Sequence, residues 1–261
     1  MIGLAFPQLA TASITGGDWS TALPLANLVD RQITKVARSV DATLAKTKFI
    51  VDCGSAVSVQ AFELRWTNLS TDAQWRIFGG TTSGDDDVYL GDWKDVYLST
   101  PSGITGHDFA AIDVLSNAYT ARYWTIEIDD ESNADGYVEI GHLFMAPIWR
   151  PTYNASYGLQ DAIIDLSEKD RADGGDQFFV TREKYRQVQF VLEALTGAES
   201  LTLRQMQRTL GTHGDLLYLP STSDLVYSQE YGFLGTFEEL SPIEYPYYRI
   251  RKLPMRITER L

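Results

Sequence analysis

One cysteine, three histidines and no long apolar run set the first limits on this chain of 261 residues. A single thiol, Cys53, cannot close an internal disulfide, so the chain is expected to fold without a disulfide framework and is compatible with a reducing cytosol. His107, His142 and His213 never fall at the spacing of a zinc-binding pair such as His-x-x-x-His. No run of about 18 apolar residues is present, so no membrane insertion is expected. The start, Met1 to Pro7, lacks the charged n-region and long apolar core of a signal peptide. Basic side chains are also in short supply. Lys and Arg total 22 against 35 Asp and Glu, a formal net charge of −13. Such a chain repels a phosphate backbone, so no nucleic-acid partner is expected. Neither a Gly-x-Ser-x-Gly elbow, nor a phosphate-cradling glycine loop, nor a dinucleotide fingerprint occurs.

What is present is the material of a β protein. Hydrophobic residues make up 44% and charged residues 22%, enough for a core and against wholesale disorder. Fourteen Tyr, eleven Phe and six Trp suit sheet faces and contact surfaces. The length allows one large domain or two ordinary ones. Charge is uneven. Residues 1–150 carry 10 basic and 19 acidic side chains, and the C-terminal segment reverses sign, with Arg249, Arg251, Lys252, Arg256 and Arg260 against Glu259.

Alternation marks the strands. Phe62, Leu64 and Trp66 alternate with Glu63 and Arg65, which predicts a half-buried strand over Val57–Trp66 with the acid and the arginine outward. Lys48–Asp52 and Trp75–Phe78 read as short strands. Trp124, Ile126 and Ile128 share one face of a strand, and the turn at 133–136 followed by Tyr137–Met145 predicts a hairpin. Pro147 and Pro151 end the sheet, which places a boundary near residue 150. After an irregular stretch that includes 172–176, Tyr185–Leu192 reads as a strand and Glu199–Leu210 as a helix, with Leu203, Met206 and Leu210 on one face and Gly211 at its stop. Leu216–Leu219, Leu225–Tyr227, Phe233–Leu240 and Tyr248–Ile257 read as further strands. The expected fold class is mainly β: a sandwich over 1–150, then a smaller β-rich domain over 151–261 with one helix near 199–210.

Candidate chemistry is sparse. Cys53 sits beside Asp52, an acid where a nucleophilic thiol needs a base and positive surroundings, so a buried structural thiol is expected. The three histidines read as ordinary polar residues. Asp85-Asp86-Asp87 lacks the alternating ligands of a calcium loop and reads as solvated. Asp129-Asp130-Glu131 are adjacent acids in a turn, not two carboxyls held across a sugar. No cofactor is expected. Tyr89, Trp93 and Tyr97 form an aromatic cluster after the acidic loop, suited either to sugar stacking or to packing on the sandwich. Tyr245-Pro246-Tyr247-Tyr248, with Arg249 and Arg251, reads equally as a protein contact or a covered domain edge. If this segment is extended, the two arginines face outward and Ile250 inward.

Two stretches carry a resemblance. Leu23 to Asp30, Ala37-Arg38-Ser39 and Phe49-Ile50-Val51-Asp52-Cys53-Gly54, with Ala121 to Ile126 later, resemble galactose-binding-like, discoidin-type β-sandwiches over residues 20–145. By that resemblance Asn27 and Asp30 are the first places to look for a structural calcium; no sugar-binding loop matches residue by residue. Leu240 to Tyr248, with the basic strand after it, is similar to the C-terminal end of tail proteins of long-tailed bacteriophages. That resemblance implies a non-enzymatic, structural subunit of a tail tip or baseplate, assembled in the host cytoplasm as a symmetric homo-oligomer or ring and partnered by other tail proteins. A carbohydrate-binding module recognising host surface glycans is the alternative reading, and a glycan-cleaving enzyme the third.

Overall fold

The computed structural model describes residues 1–98, 110–171 and 173–261, and His107 lies outside them. The chain is mainly β and its strand pairs are antiparallel. It divides into two compact units. The first holds Gly3–Trp149 and takes back Leu219–Gly232; the second holds Arg150–Tyr218 and Phe233–Leu261.

In the first unit the strands are β1 (Gly3–Ala5), β2 (Ser13–Thr15), β3 (Ala37–Arg38), β4 (Phe49–Thr67), β5 (Gln74–Gly80), β6 (Tyr89–Leu90), β7 (Lys94–Asp95), β8 (Ala111–Asp129), β9 (Glu139–Ala146) and β10 (Ile148–Trp149). Their main sheet runs β3-β9-β4-β8-β5-β6, with β2 on β4 and β7 on β5. The sequence predicts a hairpin between the strand ending at Asp129 and the strand after it. Instead β4 lies between β8 and β9, pairing Phe49–Leu64 with the first and Ala61–Thr67 with the second. The turn after β8 carries the chain past its neighbour, not back along it.

The two short strands expected over 48–66 are one strand of 19 residues. Its core-facing parity changes along its length. Phe49, Val51, Cys53 and Val59 enter the core at odd positions, and Phe62 and Leu64 at even ones. The register with β8 shifts from Val59↔Tyr119 to Ala61↔Val114, and the core-facing parity changes across this irregularity. Trp124, Ile126 and Ile128 enter the same core from β8, and Phe62 meets the Trp124 ring edge-on at 5.2 Å. Trp66 departs from the expectation: it is only half buried, because its left-handed backbone (φ 57°) breaks the alternation. The next residue, Thr67, is buried with its hydroxyl on the Tyr97 hydroxyl at 2.8 Å. Trp66 and the facing strand approach closely: a Cβ at Gly141 would meet the Trp66 side chain at 2.8 Å.

Glu63 and Arg65, expected outward, are buried as well. Every residue from Val59 to Arg65 is buried, so β4 is covered on both faces. Alternation of polar and apolar residues normally reports one wet face; here the polar face is enclosed.

The second unit contains β11 (Gln160–Asp165), β12 (Glu168–Arg171), β13 (Gln177–Val180), β14 (Lys184–Leu195), β15 (Leu216–Leu219), β16 (Phe233–Phe237), β17 (Glu244–Tyr247) and β18 (Ile250–Glu259). Strands β16, β18, β14 and β11 lie side by side, and β17 turns back on β18. The stretch before β14, expected to be irregular, supplies β11 to β13. The helix Gly197–Leu210 starts two residues earlier than its apolar spacing indicates, because Thr196 and Glu199 close a capping box. Gly211 ends it with φ 57°. Leu225–Tyr227, expected as a strand, begins the helix Leu225–Tyr231, whose cap is the Asp224 carboxylate accepting from the Tyr227 amide at 3.0 Å.

Candidate functional site

The aromatic set of the first unit does not act as one surface. Tyr97 is buried and its hydroxyl is taken by Thr67; burial pushes its pKa up to about 12. Its place in the core withdraws it from sugar stacking. Tyr89 is half buried, stacks on Tyr119 at 4.6 Å and lies 6.4 Å from the Trp124 ring. Burial pushes its pKa up to about 12 too. Trp93 remains partly open to solvent. The Arg76 guanidinium sits 5.0 Å above its ring and is held there by Glu127, which accepts from Nη2 at 2.5 Å and from Nε at 3.1 Å. Arg76 and Glu127 are register partners on β5 and β8, so the ladder fixes this pair. The result is one flat ring with a guanidinium above it, and that guanidinium is fixed by a carboxylate on the neighbouring strand. Sequence spacing singles out Trp93 but not Arg76 or Glu127, because they come from strands 17 and 34 residues away in the chain. On the opposite face of the sheet, the Lys94 ammonium donates to both oxygens of the buried Asp113 at 2.8 and 2.9 Å.

The other candidates of the first unit are occupied structurally. Asp87 closes its own loop, accepting from the Thr81 amide and hydroxyl, both at 2.7 Å. Asp85 and Asp86 are exposed. The Asp30 carboxylate takes Lys35 Nζ at 2.8 Å, and the Asn27 amide donates to the Val36 carbonyl at 2.9 Å. His142 is buried in β9, opposite Arg65. Cys53 is buried, and burial with the Asp52 charge beside it pushes its thiol up to about 11. Asp52 itself is held below the usual carboxylate range by a two-pronged bond from Arg122, 2.9 Å on each side. No group of three or more His, Cys, Asp or Glu suited to a metal ion occurs among the described residues. In the second unit His213 is exposed.

Tyr245, Tyr247, Tyr248, Arg249 and Arg251 are brought together. They line an open depression of about 520 Å³ on the β17–β18 hairpin. The segment is not continuously extended. Tyr247 pairs with Ile250, so Tyr248 and Arg249 form the turn, and Arg249 has a left-handed backbone, φ 70°. Ile250 is consequently 40% exposed and does not face a core, contrary to the extended reading. The tyrosines are 63%, 73% and 88% exposed, which rules out a covered domain edge within this chain. Each arginine lies over a ring, Arg249 on Tyr248 and Arg251 on Tyr245, both at 5.3 Å. Arg251 Nη1 also donates to the Arg249 carbonyl at 3.3 Å; a guanidinium stacked on a ring still presents its edge to carboxylates.

No family model matches the chain, and no curated protein matches it. Solved structures similar to it include three carbohydrate-binding modules. The family 32 module of AlyQ, in complex with 4,5-unsaturated mannuronic acid, is 22% identical with a TM-score of 0.38, over 54% of this chain and 98% of that one. The first family 32 module from a family 31 glycoside hydrolase of Clostridium perfringens is 15% identical, TM-score 0.36, over 53% and 96%. The family 32 module of NanJ from the same organism, in complex with galactose, is 13% identical, TM-score 0.38, over 52% and 93%.

Proposed function

We propose that the protein is a non-catalytic binding protein of the galactose-binding-like kind, whose first unit recognises carbohydrate and whose second unit docks on protein. The observation that carries the carbohydrate reading is the partly open Trp93 ring with the Arg76 guanidinium over it, held by Glu127. A flat ring stacks on the apolar face of a sugar, while charged side chains fixed at its rim hydrogen-bond the hydroxyls. Titration of soluble hexoses and uronic acids, after a glycan array, tests it. Trp93→Ala should weaken binding tenfold or more, about 1.4 kcal/mol, and leave unfolding unchanged, since the ring is not part of the core. A wild-type chain that binds no glycan at millimolar concentration removes this reading.

A second reading is architectural, and the exposed Tyr–Arg hairpin favours it. Tyr and Arg are the side chains enriched at interface hot spots. A tail tip or baseplate of a long-tailed bacteriophage is a setting that would use both units, one for a surface glycan and one for assembly. It rests on the sequence resemblance of Leu240–Tyr248 together with that exposed hairpin.

A further inference from the structure

The second unit carries another exposed apolar feature that the functions above do not use. Strand β11 pairs with β14 from Gln160↔Gln189 to Asp165↔Lys184, and β12 pairs with β13 from Glu168↔Val180 to Arg171↔Gln177. The two ladders follow one another along the same two chain segments, so residues 160–171 and 177–189 form one long β-hairpin arm. Its outer part is exposed on both faces. Phe178 is 61%, Phe179 58% and Val180 56% exposed, and Ile163 and Leu166 stand open nearer its root. Alternation puts Phe178 and Val180 on one face and Phe179 on the other. A two-stranded ribbon with apolar groups on both faces buries them only against something else.

Charge says what that something is. Residues 160–184 hold seven carboxylates against four basic side chains. Two of the basic ones are already engaged at the root, Arg182 with Glu168 at 2.5 Å and Lys184 with Asp165 at 3.9 Å. Asp170, Asp173 and Asp176 gather around the tip with Arg171. The Tyr–Arg depression is the opposite: the charged residues that line it are Arg249 and Arg251. Position does the rest. The arm leaves the sheet at the Lys184 end of β14, while Arg251 pairs with Leu195 at its other end. Twelve strand residues at about 3.3 Å each separate the two ends by about 40 Å. An arm that points away from the depression cannot fill it in its own chain.

We infer that the arm of one copy docks into the Tyr–Arg depression of the next, with Phe178 or Phe179 among the tyrosines and the tip aspartates on Arg249 and Arg251. The inference rests on the reading of the second unit as a docking unit, and it names the partner as a second copy of this chain. Because the two surfaces differ and sit at opposite ends of the sheet, the contact is head-to-tail, and repetition closes a ring or runs on as a filament.

The test is a mixing experiment by sedimentation from about 1 to 100 μM, the range that resolves a micromolar Kd. The wild-type chain should assemble with concentration. An arm variant, Phe178→Ser with Phe179→Ser, and a groove variant, Arg249→Glu with Arg251→Glu, should each stay monomeric. A 1:1 mixture of the two should form a dimer and nothing larger, because it contains one intact arm and one intact groove per pair. A milder arm variant, Asp170→Lys with Asp173→Lys and Asp176→Lys, should stay monomeric alone and assemble again with the groove variant, whose charge is reversed. Circular dichroism should show all variants folded. A monomeric wild-type chain overturns the inference. So does an arm variant that assembles while the groove variant does not, an outcome that leaves the docking reading of the second unit standing with a different occupant. Loss of glycan binding in none of these variants keeps this result separate from the first unit's reading.

Discussion

Cys53 shows how a single environment sets a residue's chemistry. It lies in the core with Asp52 next to it, and both burial and that charge oppose the thiolate. With a folded-state pKa raised to about 11 from an ordinary 9.0, the unfolded chain loses its proton first. Stability from this group is therefore full below about pH 9 and declines as pH rises toward 11. Tyr97, pushed up to about 12 from 10.0 by burial, acts in the same direction at higher pH. Two outcomes are expected: urea midpoints that fall between pH 8.5 and 11, and alkylation of the native protein by iodoacetamide at pH 8 at least tenfold slower than in urea. A native thiol that reacts at the unfolded rate would show that Cys53 is open. The sequence shows the neighbouring acid; it does not show the burial, which comes from strands 60 to 75 residues further on. Trp93→Ala belongs to this scale too, since one ring carries the proposed sugar contact.

At the scale of elements, local chemistry predicts well where it is self-contained. The helix Gly197–Leu210 is legible in the spacing of Leu203, Met206 and Leu210, and its start is legible in Thr196 and Glu199 three residues apart. The Thr196 hydroxyl accepts from the Glu199 amide, and the Glu199 carboxylate accepts from the Thr196 amide at 2.8 Å. Thr196→Ala should lower stability by about 1 kcal/mol. Glu199→Ala should cost more, because that carboxylate also accepts from the Thr152 amide at 2.7 Å. Thermal unfolding of the two variants checks the order, and equal losses would mean the tie to Thr152 contributes nothing. The sequence reads Leu225–Tyr227 as a strand although it opens the helix Leu225–Tyr231, because a three-residue apolar run has no period of its own. Its Asp224 cap and the Gln229 side chain, which bridges the Val96 carbonyl and the Leu98 amide at 2.8 Å each, decide for the helix. Strands β11 to β13 of the arm leave no periodic signal for a related reason. They are exposed on both sides, so no alternation of wet and dry faces marks them.

On the scale of the whole molecule, a net charge of −13 makes copies repel, and any self-contact must set local attraction against that field. The arm–groove contact does so by placing acidic residues on basic ones, and it should therefore weaken with salt. Ions shorten the range of these interactions from about 10 Å at 0.1 M to about 3 Å at 1 M. Repulsion between whole copies is screened as well, so the sign of the change is diagnostic. Sedimentation at 0.1 and 1 M NaCl should show less assembly at high salt. Assembly that strengthens with salt would point to an apolar contact alone and to Phe178 and Phe179 without the aspartates.

Composition and pattern by themselves determined that this is an antiparallel β protein, that Phe62, Leu64, Trp124, Ile126 and Ile128 line its core, and where its longest helix lies. They could do so because alternation, helical spacing and capping are relations between residues close in the chain. Only the tertiary structure decided that β4 lies between β8 and β9, that Glu63 and Arg65 are enclosed, that Trp66 turns aside and that Tyr97 is core. These depend on which distant strand becomes the neighbour, on a register irregularity between β4 and β8 and on a single left-handed residue, none of which leaves a periodic trace. The same division holds for the candidate sites: Tyr245 to Arg251 stand out as a run of letters, whereas the surroundings of Trp93 exist only once β5, β7 and β8 are laid side by side.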